Sequence, residues 1–325
     1  MINILGKVNK NNYKNFSNSD FPGYEVFLGS EKDFKYLPAI LRRLNVVSVH
    51  EPARDFDLAF PGARGEKSYQ LLVSLLAKLD KLGFKGVMVI HGAFFNEIAG
   101  EKKICQKALA GRLDALAVGF PKIIISLESD ILFFNQILEN RALLARPEDF
   151  LELKKYLRSK LYITLDFEHA LISSLFEEFI KNHNRFYIRV SNLDDINKPA
   201  VLAAKDAWLM FIKKNKNQYN KIFSVSLKKY AKLKKHIVHF HLSPSDMSGY
   251  WYDKKTFVPL TGEHLCVSQV NDKLNYQLIK NFLSKLAAKD LINVVLEIWP
   301  RDEKRYVSQL KNSGREIKKI WRLKK

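Results

Sequence analysis

The chain has 325 residues, 47% of them hydrophobic, and a formal net charge of +20. That length suits one large domain or two ordinary ones, and that apolar fraction can bury a sizeable core. Its two cysteines, Cys105 and Cys266, exclude a disulfide framework and a cysteine-based zinc site, and suit a reducing cytosol.

The N-terminus has no basic segment followed by an apolar one, so no signal peptide is expected and a cytoplasmic location is. No apolar run approaches the roughly 18 residues of a membrane helix, so no membrane partner is expected. The positive charge attracts polyanions such as DNA or phosphorylated substrates. A lysine-rich proteome would give the same balance with no such partner.

Ile2–Val8 reads as a strand, and Asn9–Asp20 as a loop. Gly23–Gly29 is a second strand. Glu31–Leu44 has apolar residues at helical spacing. Val46–His50 is a third strand, followed by a loop over Glu51–Gly65. Ser68–Leu82 is strongly helical, and Gly83 stops it. Gly86–His91 is a fourth strand and Lys102–Val118 a helix. Ile123–Glu128 is a fifth strand, with helical spacing over Asp130–Leu143 and Pro147–Leu157. The stretch L-Y-I-T-L-D-F-E-H-A, Leu161–Ala170, is an apolar run that ends on Asp166, with His169 three positions later. It is the sixth strand, and a helix follows over Leu171–Asn182.

Residues 184–236 read as a lysine-rich helical insertion, with a helix near Ala200–Lys214. Within it, Lys213–Lys235 holds nine lysines and no acid. This is a solvated helical face or a phosphate contact. Ile237–Leu242 is the seventh strand. Ser243–Gly262 is a long loop whose Tyr250-Trp251-Tyr252 suits either a lid that stacks on a sugar or base, or packing on a barrel mouth. Leu274–Ala288 is helical, Asn293–Trp299 is the eighth strand, and a basic helix over Asp302–Lys324 ends the chain.

Eight strands alternating with helices predict an all-parallel α/β fold. At this length the expectation is a single eight-stranded (βα)8 TIM barrel over residues 1–325, with the insertion between the sixth and seventh strands. A doubly wound open sheet is the competitor. It usually carries a glycine-rich phosphate loop after an early strand, and none is found here.

In a barrel the chemistry sits at the C-terminal ends of the strands. Those ends carry His50, His91, Glu128, Asp166 (with His169), His241 and Glu297. Carboxylates brought to one rim repel one another, and a divalent cation relieves the repulsion. Oxygen and imidazole donors suit Mn²⁺, Mg²⁺, Zn²⁺ or Fe²⁺. His239 lies two residues before His241 on the same strand face, and is expected to be a hydrogen-bonded interior histidine.

At V-V-S-V-H-E-P, V-M-V-I-H-G, I-I-I-S-L-E-S, L-D-F-E-H-A, V-H-F-H-L-S, F-V-P-L-T-G-E-H-L and V-V-L-E-I-W, the sequence resembles the xylose isomerase-like barrel superfamily. That group includes sugar isomerases, ketose 3-epimerases and the endonuclease IV class of abasic-site nucleases. The resemblance implies one metal held by Glu128, Asp166, His241 and Glu297. Glu139, in Q-I-L-E-N-R, is the alternative to Glu128. His50, His91 and His169 match some further zinc ligands of the nuclease class. That class also has an Asp-x-His before a glycine turn, and Lys255-Thr256-Phe257 stands there instead.

Two functions follow from the resemblance. One is a metal-dependent isomerase or epimerase of a sugar or sugar phosphate. It would work through an enediolate, with Glu128 and Glu297 moving the proton and His91 and His169 orienting substrate oxygens. The alternative is an endonuclease IV-like phosphodiesterase acting on abasic-site DNA. A barrel that binds a ligand without turnover is a third outcome.

Overall fold

The computed structural model describes residues 1–51, 57–92, 94–96, 101–132, 140–183, 199–247, 250–252, 259–261, 264–270, 273–286, 291–298 and 303–322. Its strands are β1 (Ile2–Val8), β2 (Tyr24–Phe27), β3 (Val46–His50), β4 (Val87–Ile90), β5 (Phe94–Asn96), β6 (Ile124–Glu128), β7 (Asn140–Ala142), β8 (Ile163–Asp166), β9 (Ile237–Leu242), β10 (Tyr250–Tyr252), β11 (Pro259–Thr261) and β12 (Ile292–Leu296). Its α-helices are α1 (Leu37–Arg43), α2 (Ala63–Lys81), α3 (Lys102–Gly119), α4 (Pro147–Lys154), α5 (Phe167–Asn182), α6 (Pro199–Asn215), α7 (Tyr219–Tyr230), α8 (Lys273–Leu286) and α9 (Glu303–Ile320).

Eight strands close into a barrel in the order β1-β12-β9-β8-β6-β4-β3-β2. Every pairing between neighbours is parallel, and β1 closes the ring by pairing with both β12 and β2. A helix lies between most successive barrel strands, as a parallel sheet requires. The eight barrel strands fall on the eight apolar runs of the sequence. The fold is the eight-stranded (βα)8 barrel expected from that alternation.

Strand alternation decides what faces the interior. In β9, His239 and His241 point inward, and Phe240 points out to stack on Phe167 of α5, with ring centroids 5.7 Å apart. Outward strand side chains and the inner helix faces form the apolar core, which includes Leu72, Leu109, Phe176, Phe223 and Trp321. Each such side chain, fully buried, stabilises the fold by about 1.5–3 kcal/mol. The barrel interior is polar beneath the mouth. Ser126 and Thr164 hydroxyls lie 2.7 Å apart, and Ser48 donates to Glu25 at 2.9 Å.

Three elements differ from the sequence reading. Glu31–Leu44 is a 3-10 turn over Glu31–Tyr36 followed by α1. Pro38 has no N–H for an α-helical ladder, and so fits only at the start of α1. The helical spacing of Asp130–Leu143 gives no helix at its C-terminal end. There Asn140–Ala142 forms β7, antiparallel to β5, and pairing overrides spacing. The Ser243–Gly262 loop contains an antiparallel pair, with Tyr250 opposite Thr261 and Tyr252 opposite Pro259.

Candidate metal centre

Strand register brings the polar strand ends together. Asp166 pairs with His241 across β8 and β9, and Leu242 pairs with Leu296 across β9 and β12, which places Glu297 at the same level. Asp166 also starts α5. Its Oδ1 accepts the backbone N–H groups of Glu168 at 2.7 Å and His169 at 2.9 Å. That cap leaves Oδ2 toward the barrel axis, where Ser243 Oγ lies 3.4 Å away.

His241 sits at the centre of the cluster. Its Nδ1 lies 2.9 Å from Glu128 Oε1 and 3.1 Å from Glu297 Oε1. Asp166, His241 and Glu297 each offer one donor atom within 4.8 Å of the others. The triads His50, Glu128, His241 and Glu128, Asp166, His169 meet the same limit. On the other side of Glu128, Oε2 lies 3.0 Å from His50 Nε2 and 3.5 Å from His91 Nε2. His169 Nδ1 is 3.9 Å from Glu128 Oε1. The structure therefore gathers the other six expected residues around the seventh, Glu128. Glu139 lies outside the described residues, as do Lys255, Thr256 and Phe257.

Each histidine has one ring nitrogen held from outside the cluster. His50 Nδ1 lies 2.6 Å from the Glu51 carbonyl oxygen. His91 Nδ1 lies 3.4 Å from Glu51 Oε1. His169 Nδ1 lies 2.8 Å from the Ser129 carbonyl oxygen. His241 Nε2 lies 3.1 Å from Glu25 Oε2. Metal-binding imidazoles are oriented in this way, with one nitrogen fixed by an outer acceptor and the other left for the ion. The donor set therefore fits a divalent cation. Four acids, Glu25, Glu128, Asp166 and Glu297, are at most 6% exposed within this small volume, and such crowding is costly without positive charge.

The electrostatics agree. Burial and the carboxylates of Glu128 and Glu297 push the Asp166 carboxyl above its ordinary value. Burial works against charge on His241, but Glu128, Glu25 and Glu297 outweigh it and hold the imidazole well above the usual range. Burial would raise Glu297, yet His241 and Lys7 bring it down to about 2. His91, despite burial, is pushed up to about 10 by Glu128 and Glu51.

Four further residues join the site. Lys7 of β1 bonds Glu297 and lies 3.1 Å from Glu25 Oε1. Glu25 of β2 also lies 3.1 Å from His239 Nε2, so His239 is the hydrogen-bonded interior residue its position suggested. Glu51 backs both His50 and His91. His264 Nδ1 lies 3.6 Å from Glu297 Oε2. The signals were a charge inside an apolar run for Lys7 and Glu25, and the acid next to His50 for Glu51. His264 had only its place in the family-like segment F-V-P-L-T-G-E-H-L.

No protein-family model and no curated protein sequence matches the chain. Solved structures do. A D-tagatose 3-epimerase-like protein aligns over 98% of this chain and 97% of its own, at 17% identity and a TM-score of 0.58. A xylose isomerase domain protein from Planctomyces limnophilus aligns over 99% and 96%, at 11% identity and a TM-score of 0.52. The fold of this chain is the one these two barrels share. Endonuclease IV from Thermus thermophilus has the same architecture, covering 98% of both chains at 13% identity and a TM-score of 0.52. The same barrel architecture is thus shared by sugar enzymes and by a nuclease. Among the described residues, no helix is long and apolar enough to cross a membrane.

Proposed function

We propose that the chain is a divalent-metal-dependent isomerase or epimerase of a small sugar or sugar phosphate. The supporting observation is the pair of carboxylates, Glu128 and Glu297, that flank His241 Nδ1 at 2.9 and 3.1 Å. Glu128, Asp166, His241 and Glu297 are the residues that hold the ion. When bound, the ion supplies Lewis-acid stabilisation of negative charge on adjacent substrate oxygens. Mn²⁺, Mg²⁺ and Zn²⁺ all suit this mixture of oxygen and imidazole donors.

One of the two glutamates takes a proton from the carbon next to the carbonyl, and one returns it. His91 and His169 orient the substrate oxygens. The four ligands are 0–6% exposed, a depth that suits a small molecule better than a duplex backbone.

A second reading has its own observation. His50 and His91 both direct Nε2 at Glu128 Oε2, and His264 adds an imidazole beside Glu297. These are more donors than one ion needs. They suit an endonuclease IV-like phosphodiesterase, with the charge of +20 contacting phosphates.

The test is incubation of Mn²⁺-loaded protein in deuterium oxide with a panel of ketoses and their phosphates. Deuterium entering the carbon next to the carbonyl, and lost in Glu297→Gln, is the expected result. Nicking of abasic-site duplex DNA that disappears in Glu297→Gln, with no sugar exchange, overturns the first reading in favour of the second.

A further inference from the structure

Among the described residues, one lysine stands beside the proposed ion ligands, and strand register fixes its place. Across β1 and β2, Lys7 pairs with Glu25. Across β1 and β12, Gly6 pairs with Leu296, so the next residues, Lys7 and Glu297, are level. Lys7 therefore stands between two inward-facing glutamates. Its Nζ lies 3.1 Å from Glu25 Oε1 and bonds Glu297 Oε1. Phe27 contributes a ring face 5.3 Å from the same ammonium. The Lys7 side chain is 14% exposed, so its position is packed and not a chance surface contact.

The oxygen that Lys7 holds is the one the ion would need. Glu297 Oε1 is the atom 3.1 Å from His241 Nδ1, the nitrogen left facing the cluster when Glu25 takes Nε2. An ammonium on that oxygen repels a divalent cation and uses one of its lone pairs. We propose that Lys7 competes with the metal ion for Glu297 and so sets how tightly the barrel holds that ion. Lys7 is here a positioning residue that acts through Glu297. The inference rests on the ion-binding part of the function proposed above, and does not depend on which reaction follows.

The experiment is calorimetric titration of chelator-treated protein with Mn²⁺, for wild type, Lys7→Gln and Lys7→Arg, with thermal unfolding of each in the presence and absence of the ion. Lys7→Gln is expected to bind Mn²⁺ on the order of tenfold more tightly, and Lys7→Arg to stay near wild type. Ion-free Lys7→Gln is expected to melt below wild type and to gain more from the ion, because its carboxylates have lost their only partner ammonium among the described residues. Equal or weaker Mn²⁺ binding by Lys7→Gln overturns the proposal. So does a Lys7→Gln protein that stays unfolded with Mn²⁺ present, because the ion would then fail to replace the ammonium charge. Wild type that binds no divalent ion removes the metal reading itself, a result separate from either.

Discussion

Glu51 Oε1 lies 3.4 Å from His91 Nδ1, while the other nitrogen of that ring lies 3.5 Å from Glu128 Oε2. The imidazole thus links a supporting acid to the central one. Glu51 is fully buried, and burial raises its carboxyl to about 6, against the pull of His91. It also accepts the His91 backbone N–H at 2.5 Å. Glu51→Gln keeps the shape and removes the charge behind the ring. We expect the variant to lose about 10–100-fold in affinity for an ion that uses His91. Titration with Zn²⁺ against a competing chelator measures it, and an unchanged affinity would show that no ion uses this ring.

Glu25 supports two rings at once. His239 Nε2 and His241 Nε2 each lie 3.1 Å from its Oε2. Glu25→Ala would strand two buried imidazoles and the Lys7 ammonium. Breaking a buried charge cluster from one side costs about 3–5 kcal/mol. Urea denaturation of ion-free protein should show a loss of that size. Glu25→Gln, which keeps an acceptor oxygen, should lose less.

The pH dependence of ion-free stability has two arms. His91 is raised to about 10, so its contribution is complete below the ordinary imidazole value of 6.5 and is lost as pH rises toward 10. Glu297 is lowered to about 2, so its contribution is complete above 4.5 and is lost as pH falls toward 2. Melting temperature should therefore fall on both sides. Mn²⁺ bound at Glu128, the carboxylate beside His91, would disfavour the imidazolium by charge repulsion, so it should flatten the alkaline arm. An alkaline arm unchanged by the ion would show that the ion does not bind beside His91.

Gly65, in the first turn of α2, has no room for a side chain. A Cβ there would sit 1.8 Å from the Phe60 carbonyl oxygen and 2.4 Å from Arg112 Nη1. Arg112 is fixed by bonds of 2.6 Å to the carbonyls of Leu58 and Phe60, so it cannot yield cheaply. Gly65→Ala should cost about 2–3 kcal/mol, read from the shift in urea midpoint. A midpoint within error of wild type would mean the loop before α2 can move aside.

The strand pattern was legible because each barrel strand is a short, mostly apolar run, and eight such runs with helical spacing between them leave few folds. The strand-end positions of His50, His91, Glu128, Asp166, His241 and Glu297 were legible for the same reason, since a polar residue closing an apolar run marks where the strand leaves the sheet. Spacing misled at the C-terminal end of Asp130–Leu143, where pairing of Asn140–Ala142 with Phe94–Asn96 competes with local helix formation and no local signal records it.

Lys7 and Glu25 belong to a different kind of information. In sequence each is a charge in a short strand, free to face either solvent or interior. Closure of β1 onto both β12 and β2 turned both inward and set them 3.1 Å apart. The sequence by itself determined that acids and imidazoles lie at the ends of six of the eight barrel strands, because period and polarity are local properties. Only the tertiary structure decided which of them share an oxygen and which rings are fixed from behind. Those pairings depend on register between strands up to 290 residues apart, which no window of sequence contains.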